Sequence, residues 1–388
     1  MRGWGTAGCR GSAGRAILGL SLAGSVGLAG LAGLAGLAGC STSGTVGAVG
    51  KPSGSTAPTG GPSSSSAAPT HQSGVPDSST SASSSASSSA VPDATVSQDD
   101  AAAALKAYQA ENNAANAALD TTAIAKAESG SLLALDQCNM VYDQGAGGTR
   151  AKQDEAAIAL NNAAFYPVRA TDYPRAFFAT ATGVQSGQPN SSVLIHFIQD
   201  KSGAPWLVDF DVALTSGQQW PAFAVDSSGA LDYTATHLDQ LALSTVDLAA
   251  ADRTVLADNN AGQPGSPFLS DDATNAEQKW ITNEGSSEAG ATSSLTVTTD
   301  LNPAPTYIPL KDGGELALYG TRTAVRTAES GHTFTFGDRG WAKVAGADSV
   351  VGGFTAEAVW MNAAIDPADR AAKIQKIAYG GGLVSVHG

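Results

Sequence analysis

The residues best spaced for chemistry are Asp209 and Asp211, which alternate with Val208, Phe210 and Val212. On a strand this spacing sets both carboxylates on one face and the apolar residues on the other. Two carboxylates so placed can share general acid and general base work, or hold a cation. The commoner use of the pattern is the wetted face of a half-buried strand, and that is the expectation here. His196, within Val193-Leu194-Ile195-His196-Phe197-Ile198, would share a face with Leu194 and Ile198. It could enter a cavity as a proton-transfer group, though a satisfied core or rim histidine is the more ordinary outcome. Asn112, Asn113 and Asn116 gather amides on one side of a helix. They are candidates for binding a ligand, or more simply for tying that helix to the strand that follows.

Other chemistries find little footing. Cys138 is the one cysteine of the foldable part, with no local His to lower its pKa, and reads as a small buried hydrophobe. The five His are isolated from one another and no Cys pair occurs, so no metal site is expected, and no motif calls for a cofactor. Gly380-Gly381-Gly382 has neither the Lys nor the following helix of a phosphate loop, and no Gly-x-Ser-x-Gly elbow is present. Trp206, Trp220, Trp280, Trp341 and Trp360 could line a sugar-binding surface, but their scatter along the chain favours core packing.

The elements that must position these groups begin after an export region. Arg2, Arg10 and Arg15 precede an uncharged run from Ala16 to Ala38, ending in Leu37-Ala38-Gly39-Cys40. This is the layout of a secretory signal, residues 1–39. Its last four residues resemble the lipobox of bacterial lipoproteins, which implies cleavage between Gly39 and Cys40 and a diacylglyceryl group on the Cys40 thiol. An uncleaved membrane helix is disfavoured by the repeated Leu-Ala-Gly triplets, because Gly is a poor helix former. Two or three acyl chains, at about 0.8 kcal/mol per buried CH₂, would hold a protein on a membrane stably. The expected location is therefore the outer face of a cytoplasmic membrane.

Residues 40–98 are dominated by Ser, Ala, Thr, Gly and Pro, with no aromatic residue. Such a segment cannot bury enough apolar surface to offset the entropy of ordering, and is expected to be a disordered tether. As a flexible coil it would span about 40 Å, and pulled straight roughly 190 Å. The formal charge is −14, and without the three Arg of residues 1–39 it becomes −17. So acidic a chain repels phosphate backbones, which makes nucleic acid an unsuitable partner, and it draws nothing from anionic headgroups.

Beyond the tether the pattern is α+β, and it runs twice. Ser97 with Asp100 three residues on is a capping box, opening a helix from Ala101 to Leu119. A short helix over Thr122 to Glu128 and a strand over Leu132 to Tyr142 follow. Strands are then expected at Arg175 to Thr182, Ser192 to Gln199 and Trp206 to Leu214, the last two joined by a hairpin through Asp200 to Pro205. A second half echoes the first, with Ser270-Asp271-Asp272-Ala273 opening a helix toward Trp280. Strands follow at Ser294 to Thr299, Leu316 to Thr327, Thr333 to Phe336, Val350 to Asn362 and Lys373 to Val386, and Asp338-Arg339-Gly340 reads as a turn. Two similar domains are expected, 99–237 and 238–388, each with N-terminal helices packed on a curved antiparallel sheet.

Ala104-Leu105-Lys106-Ala107-Tyr108, the Asn112-Asn113 and Asn116 group, Glu128-Ser129-Gly130, Tyr173-Pro174-Arg175 and Gly203-Ala204-Pro205-Trp206 resemble an uncharacterised family of actinobacterial lipoproteins. The resemblance covers most of residues 99–388 and implies location and extent, without catalytic residues. The order of helices and strands is also similar to the cone-shaped nuclear-transport-factor-two-like or cystatin-like fold. That fold hosts enzymes and binding modules alike.

The function these readings favour is a non-catalytic binding or scaffolding lipoprotein of the cell envelope, with an envelope protein or a wall glycan as partner. The first alternative is an extracytoplasmic enzyme of hydrolase or isomerase type, using Asp209, Asp211 and His196 in a cone cavity. The second is a solute-binding lipoprotein, disfavoured because those chains alternate strands with helices over two lobes.

Overall fold

The computed structural model describes residues 95–147, 157–186, 188–285 and 291–388. The signal, Cys40 and almost all of the tether lie outside them. The chain enters the fold at Val96, which is buried in the main core although it stands near the end of the expected tether. Ser97 caps α1 (Gln98–Ala118), its hydroxyl accepting from the Asp100 amide at 3.0 Å. Ala101, Ala104, Leu105, Tyr108, Asn112, Ala115 and Asn116 recur at three and four residues and form the buried stripe of this helix. A 3₁₀ turn, Ile124–Lys126, leads to α2 (Gly130–Ala146).

The second helix corrects the strand expected over Leu132 to Tyr142. Leu132, Leu135, Asp136, Asn139 and Asp143 are all buried at helical spacing. Polar groups on that buried face disguise the period and leave the apolar residues looking strand-like.

Four antiparallel strands complete the first half: β1 (Ile158–Pro167), β2 (Arg175–Gln185), β3 (Ser191–Gln199) and β4 (Leu207–Leu214). The first of these was not anticipated from its polar and Ala-rich sequence. Its register slips between Asn161 and Ala164, where Asn162 takes a positive φ of 53°. A second irregularity lies between β3 and β4, where His196 pairs with Phe210 but Phe197 pairs with Val208, leaving Asp209 as an extra residue.

The second half holds α3 (Thr245–Asp258), α4 (Asp272–Gly285), β5 (Thr292–Asp300), β6 (Thr306–Pro309), β7 (Glu315–Thr335), α5 (Arg339–Ala345), β8 (Ser349–Asp366) and β9 (Gln375–His387). The two runs expected at Leu316 to Thr327 and Thr333 to Phe336 are one long strand with a register shift. The turn expected at Asp338-Arg339-Gly340 is the start of α5, Asp338 accepting from the Gly340 amide at 2.7 Å.

All nine strands join in one antiparallel sheet ordered β1-β2-β3-β4-β9-β8-β7-β5, with β6 also on β7. The halves meet where Ala213 and Leu214 pair with Tyr379 and Ala378. The main apolar core crosses this junction, running from Leu105, Phe177 and Phe197 to Ile308, Leu318, Met361 and Ile377. Each fully buried large side chain there contributes about 1.5–3 kcal/mol. Next to the junction α2 meets α5 closely enough that a Cβ at Gly340 would stand 2.6 Å from the Tyr142 ring.

Candidate functional site

Ionisable side chains gather under the helices in two buried clusters. In the first, α1 supplies Tyr108, Asn112 and Asn116, α2 supplies Asp136, and β4 supplies Asp211. Glu128 joins from the link ahead of α2, which is held against β4 by the Ser129 amide on the Val208 carbonyl (2.9 Å) and the Val208 amide on the Ala127 carbonyl (2.8 Å). Asn112 Nδ2 donates to Glu128 Oε1 at 2.9 Å, and Asn116 Nδ2 donates to Asn112 Oδ1 at 2.6 Å. Tyr108 reaches Glu128 Oε1 at 3.4 Å. Among the described residues neither oxygen of Asp211 has a hydrogen-bond partner, and its exposure is 0%.

Burial is the main force on these acids, because a carboxylate taken out of water loses solvation that the Asn112 hydrogen bond to Glu128 only partly replaces. It raises the Glu128 carboxyl well above the usual range, and the neighbouring Asp136 and Asp211 push it further in the same direction. Burial followed by Asp136 does the same to Asp211. Both groups are therefore biased toward the neutral acid form. A neutral carboxylic acid is a donor as well as an acceptor, and this is how several acids can coexist in one dry layer.

The Asp209–Asp211 pair does not share a face. Asp211 stands opposite Ile195 and Val208 opposite Phe197, which puts Asp211 and Val208 on the same side, while Phe210 opposite His196 takes the other. The bulge at Asp209 breaks the alternation, and neither carboxylate forms the wetted face expected. Asp209 Oδ1 instead lies 2.7 Å from His196 Nδ1, with side chains only 8% and 12% exposed. The imidazole lies on the Phe178 ring at 4.6 Å.

The three Asn divide between two tasks. Asn112 and Asn116 belong to the acid cluster. Asn113 donates to the Ile158 carbonyl and accepts from the Ile158 amide, both at 2.9 Å, and so fastens α1 to the start of β1.

The second cluster was not foreseen. Lys376 on β9 is fully buried, its Nζ 2.6 Å from Asp252 Oδ2 on α3 and 3.3 Å from Glu277 Oε2 on α4. Tyr319 donates to Asp252 at 3.1 Å and Thr321 to Glu277 at 2.7 Å. Burial alone would lower the Lys376 pKa, but Asp252 and Glu277 outweigh it and the ammonium stays charged. Burial raises Glu277 to about 7 against the opposing pull of Lys376. At the start of β7, Glu315 is raised to about 7 by burial and accepts from Thr245 Oγ1 at 2.9 Å.

The remaining candidates pack. Burial pushes the Cys138 thiol up to about 12, which removes its thiolate chemistry. Trp280 and Trp360 meet edge to face, Trp206 sits against Phe177, and Trp220 Nε1 donates to Ser192 Oγ at 2.9 Å. Open grooves of about 490 and 500 Å³ lie elsewhere, one beside Thr245 and Tyr307 and one beside Arg169 and Tyr173. Neither is lined by His196, Asp209 or Asp211. Among the described residues no group of three or more His, Cys, Asp or Glu is placed to hold a metal ion. No helix among them is long and apolar enough to cross a membrane.

The fold and its clusters define an α+β domain of one large antiparallel sheet whose chemistry-bearing groups face inward. A family described as "Domain of unknown function (DUF8094)" matches residues 92–388, and the chain belongs to that family. No curated protein and no solved structure matches it.

Proposed function

We propose that this chain is a lipid-anchored protein on the outer face of a cytoplasmic membrane, with a domain that binds or scaffolds rather than catalyses. The observation that carries the anchor is Leu37-Ala38-Gly39-Cys40 at the end of an uncharged run, with the family domain starting only at residue 92. Cleavage after Gly39 and acylation of Cys40 would leave the intervening Ser- and Pro-rich chain as a spacer, as in the actinobacterial lipoproteins it resembles. The non-catalytic part is supported by the burial of Glu128, Asp211, Asp252, Glu277 and Lys376, which lets them hold layers together but keeps them from substrate. The order helix, helix, antiparallel strands recurs on either side of residue 237, which supports a reading as two similar units fused edge to edge. The partner is an envelope protein or a wall glycan, and the acidic balance disfavours nucleic acid.

Labelling with a fatty acid, followed by mass spectrometry of the N-terminal peptide, tests the anchor. The expected product begins at an acylated Cys40, and Cys40→Ala abolishes both the label and membrane retention. An unacylated native chain would overturn the placement. Recovery of a specific partner by pull-down from intact cells is expected for the binding role, and recovery of nothing above background counts against it.

One contact favours an enzyme as second reading: His196 Nδ1 held by Asp209 at 2.7 Å, the arrangement in which a carboxylate orients an imidazole. Joint replacement of His196, Asp209 and Asp211 with an unchanged phenotype in folded protein removes it.

A further inference from the structure

The two ends of the sheet are treated very differently. At β1 the outward backbone groups are taken up by α1: Asn113 holds both polar groups of Ile158, Gln109 Oε1 accepts from the Leu160 amide at 2.8 Å, and Gln98 Nε2 donates to the Phe165 carbonyl at 3.3 Å. A bulge at Asn162 bends the same strand. Bulges and covering side chains are the ordinary protections of a sheet edge. At β5 no bulge and no side-chain bond to the backbone from a neighbouring helix occurs among the described residues, although α3 and α4 pack Leu256 and Ile281 on Val297. The strand pairs with β7 in unbroken register from Thr292 to Asp300, and among the described residues its backbone has no partner on the other side. No charged residue or proline lies between Thr292 and Thr299, and Thr292 to Thr296 are all exposed. An unpaired row of N–H and C=O groups is a template for a further strand.

We propose that β5 is an association edge, at which two copies of this chain pair β5 to β5, antiparallel, about a twofold axis through Thr296. The sequence Thr292-Ser293-Ser294-Leu295-Thr296-Val297-Thr298-Thr299-Asp300 matches itself in that register. Leu295, 36% exposed in one copy, lies beside Val297 of the other, whose face is already covered by Leu256 and Ile281, and Ser294 meets Thr298 on the opposite face. Such apolar and hydroxyl pairs are the favourable cross-strand combinations. Asp300 meets Thr292, so no like charges are opposed. The nearest charges on the neighbouring β7 are Arg322 and Arg326, opposite Thr298 and Ser294. On a chain of net charge −14 this is a place where two copies approach without acid facing acid. An isologous contact of this kind closes on itself and leaves β1 as the free end. Nine residues from each side are fewer than the roughly 20–30 of a standard interface, so the dimer is weak and concentration-dependent.

The test uses the full-length chain carrying Cys40→Ser, so that no acyl group drives association. Sedimentation over a wide concentration range is expected to give a monomer–dimer equilibrium. Thr296→Lys and Thr296→Asp, each placing like charges side by side on the axis, should each weaken it at least about tenfold. A one-to-one mixture of the two variants should restore or exceed the original association, which also shows that both fold. A monomer at every concentration, a dimer indifferent to both substitutions, or a mixture no stronger than its components would overturn the proposal. So would an edge that takes up a foreign strand but not its own copy.

Discussion

Lys376 Nζ lies 2.6 Å from Asp252 Oδ2, and neither side chain is reached by solvent. The ammonium is the one cation in a cluster with two carboxyls, and it joins β9 to α3 and α4 at once. Lys376→Met should lower the unfolding free energy by about 3–5 kcal/mol near neutral pH, because it strands buried carboxylates. The loss should shrink on acidification. Without the ammonium, Asp252 and Glu277 bind protons more tightly folded than unfolded, so lowering the pH neutralises them in place. Urea titrations at several pH values measure this, and a pH-independent loss would show that Lys376 supplies packing and not charge.

Asp211 and Glu128 carry folded-state pKa values raised well above their unfolded ones. Their contribution is whole below the unfolded values, about pH 4, and is lost as the pH climbs toward the folded ones, at about 1.4 kcal/mol per pH unit for each group. Glu277 and Glu315, both raised to about 7, add to the same slope up to that point. Stability should therefore fall between about pH 5 and pH 8. Asp211→Asn, which keeps the shape and removes the ionisation, should flatten the slope and raise the urea midpoint at the alkaline end. A variant as pH-sensitive as the parent would refute the assignment.

At Gly340 an added methyl would meet Tyr142 Cδ2 and Cε2 at 2.6 Å. Gly340→Ala should cost about 1–3 kcal/mol through forced displacement of α2 from α5. Tyr142 also donates to Asp338 at 2.7 Å, so the same change should disturb the cap of α5. A double-mutant cycle with Tyr142→Ala isolates the clash, and additivity of the two changes would place the cost elsewhere.

Asn113→Ala removes both hydrogen bonds to Ile158 and leaves the first residue of β1 unsupported. The expected loss is about 1–2 kcal/mol, with hydrogen exchange at the Ile158 amide accelerated more than in β3. Equal acceleration in both strands would mean that the clamp acts globally.

The meander β2–β4 was legible because alternation and the Asp200–Pro205 turn agree, and α1 because Ser97 and Asp100 declare its start. The segments that were missed each hide their period. α2 carries Asp136, Asn139 and Asp143 on its buried face, and β1 is broken by a left-handed Asn162. α3 also has its signal, Ser244 capping the Asp247 amide at 3.2 Å, but the short apolar runs around it mask its helical period. In the first cluster Asn112, Asn116 and Asp211 stood out by type and spacing. Glu128 and Asp136 did not, since one marked a helix end and the other fell in a supposed strand. Signals for the second cluster were present: Lys376 sits between Ile374 and Ile377, and Asp252 shares a helix face with Leu248 and Val255. A lone charge in an apolar stripe points to a buried partner, but only the folded topology can say which one.

The strand that joins the halves, β9, is the C-terminal-most of the nine, yet it lies between β4 and β8. A ribosome emits residues in order, so β4, complete at Leu214, waits with one flank bare until Gln375–His387 is made and slides into the slot between β4 and β8. The main core draws on Met361 and Ile377 as well as Phe177 and Phe197, so its cooperative locking must wait for β9. Any nascent or shortened product lacking β9 therefore leaves Ala213 and Leu214 of β4 and the facing side of β8 unpaired, and is prone to associate with other chains.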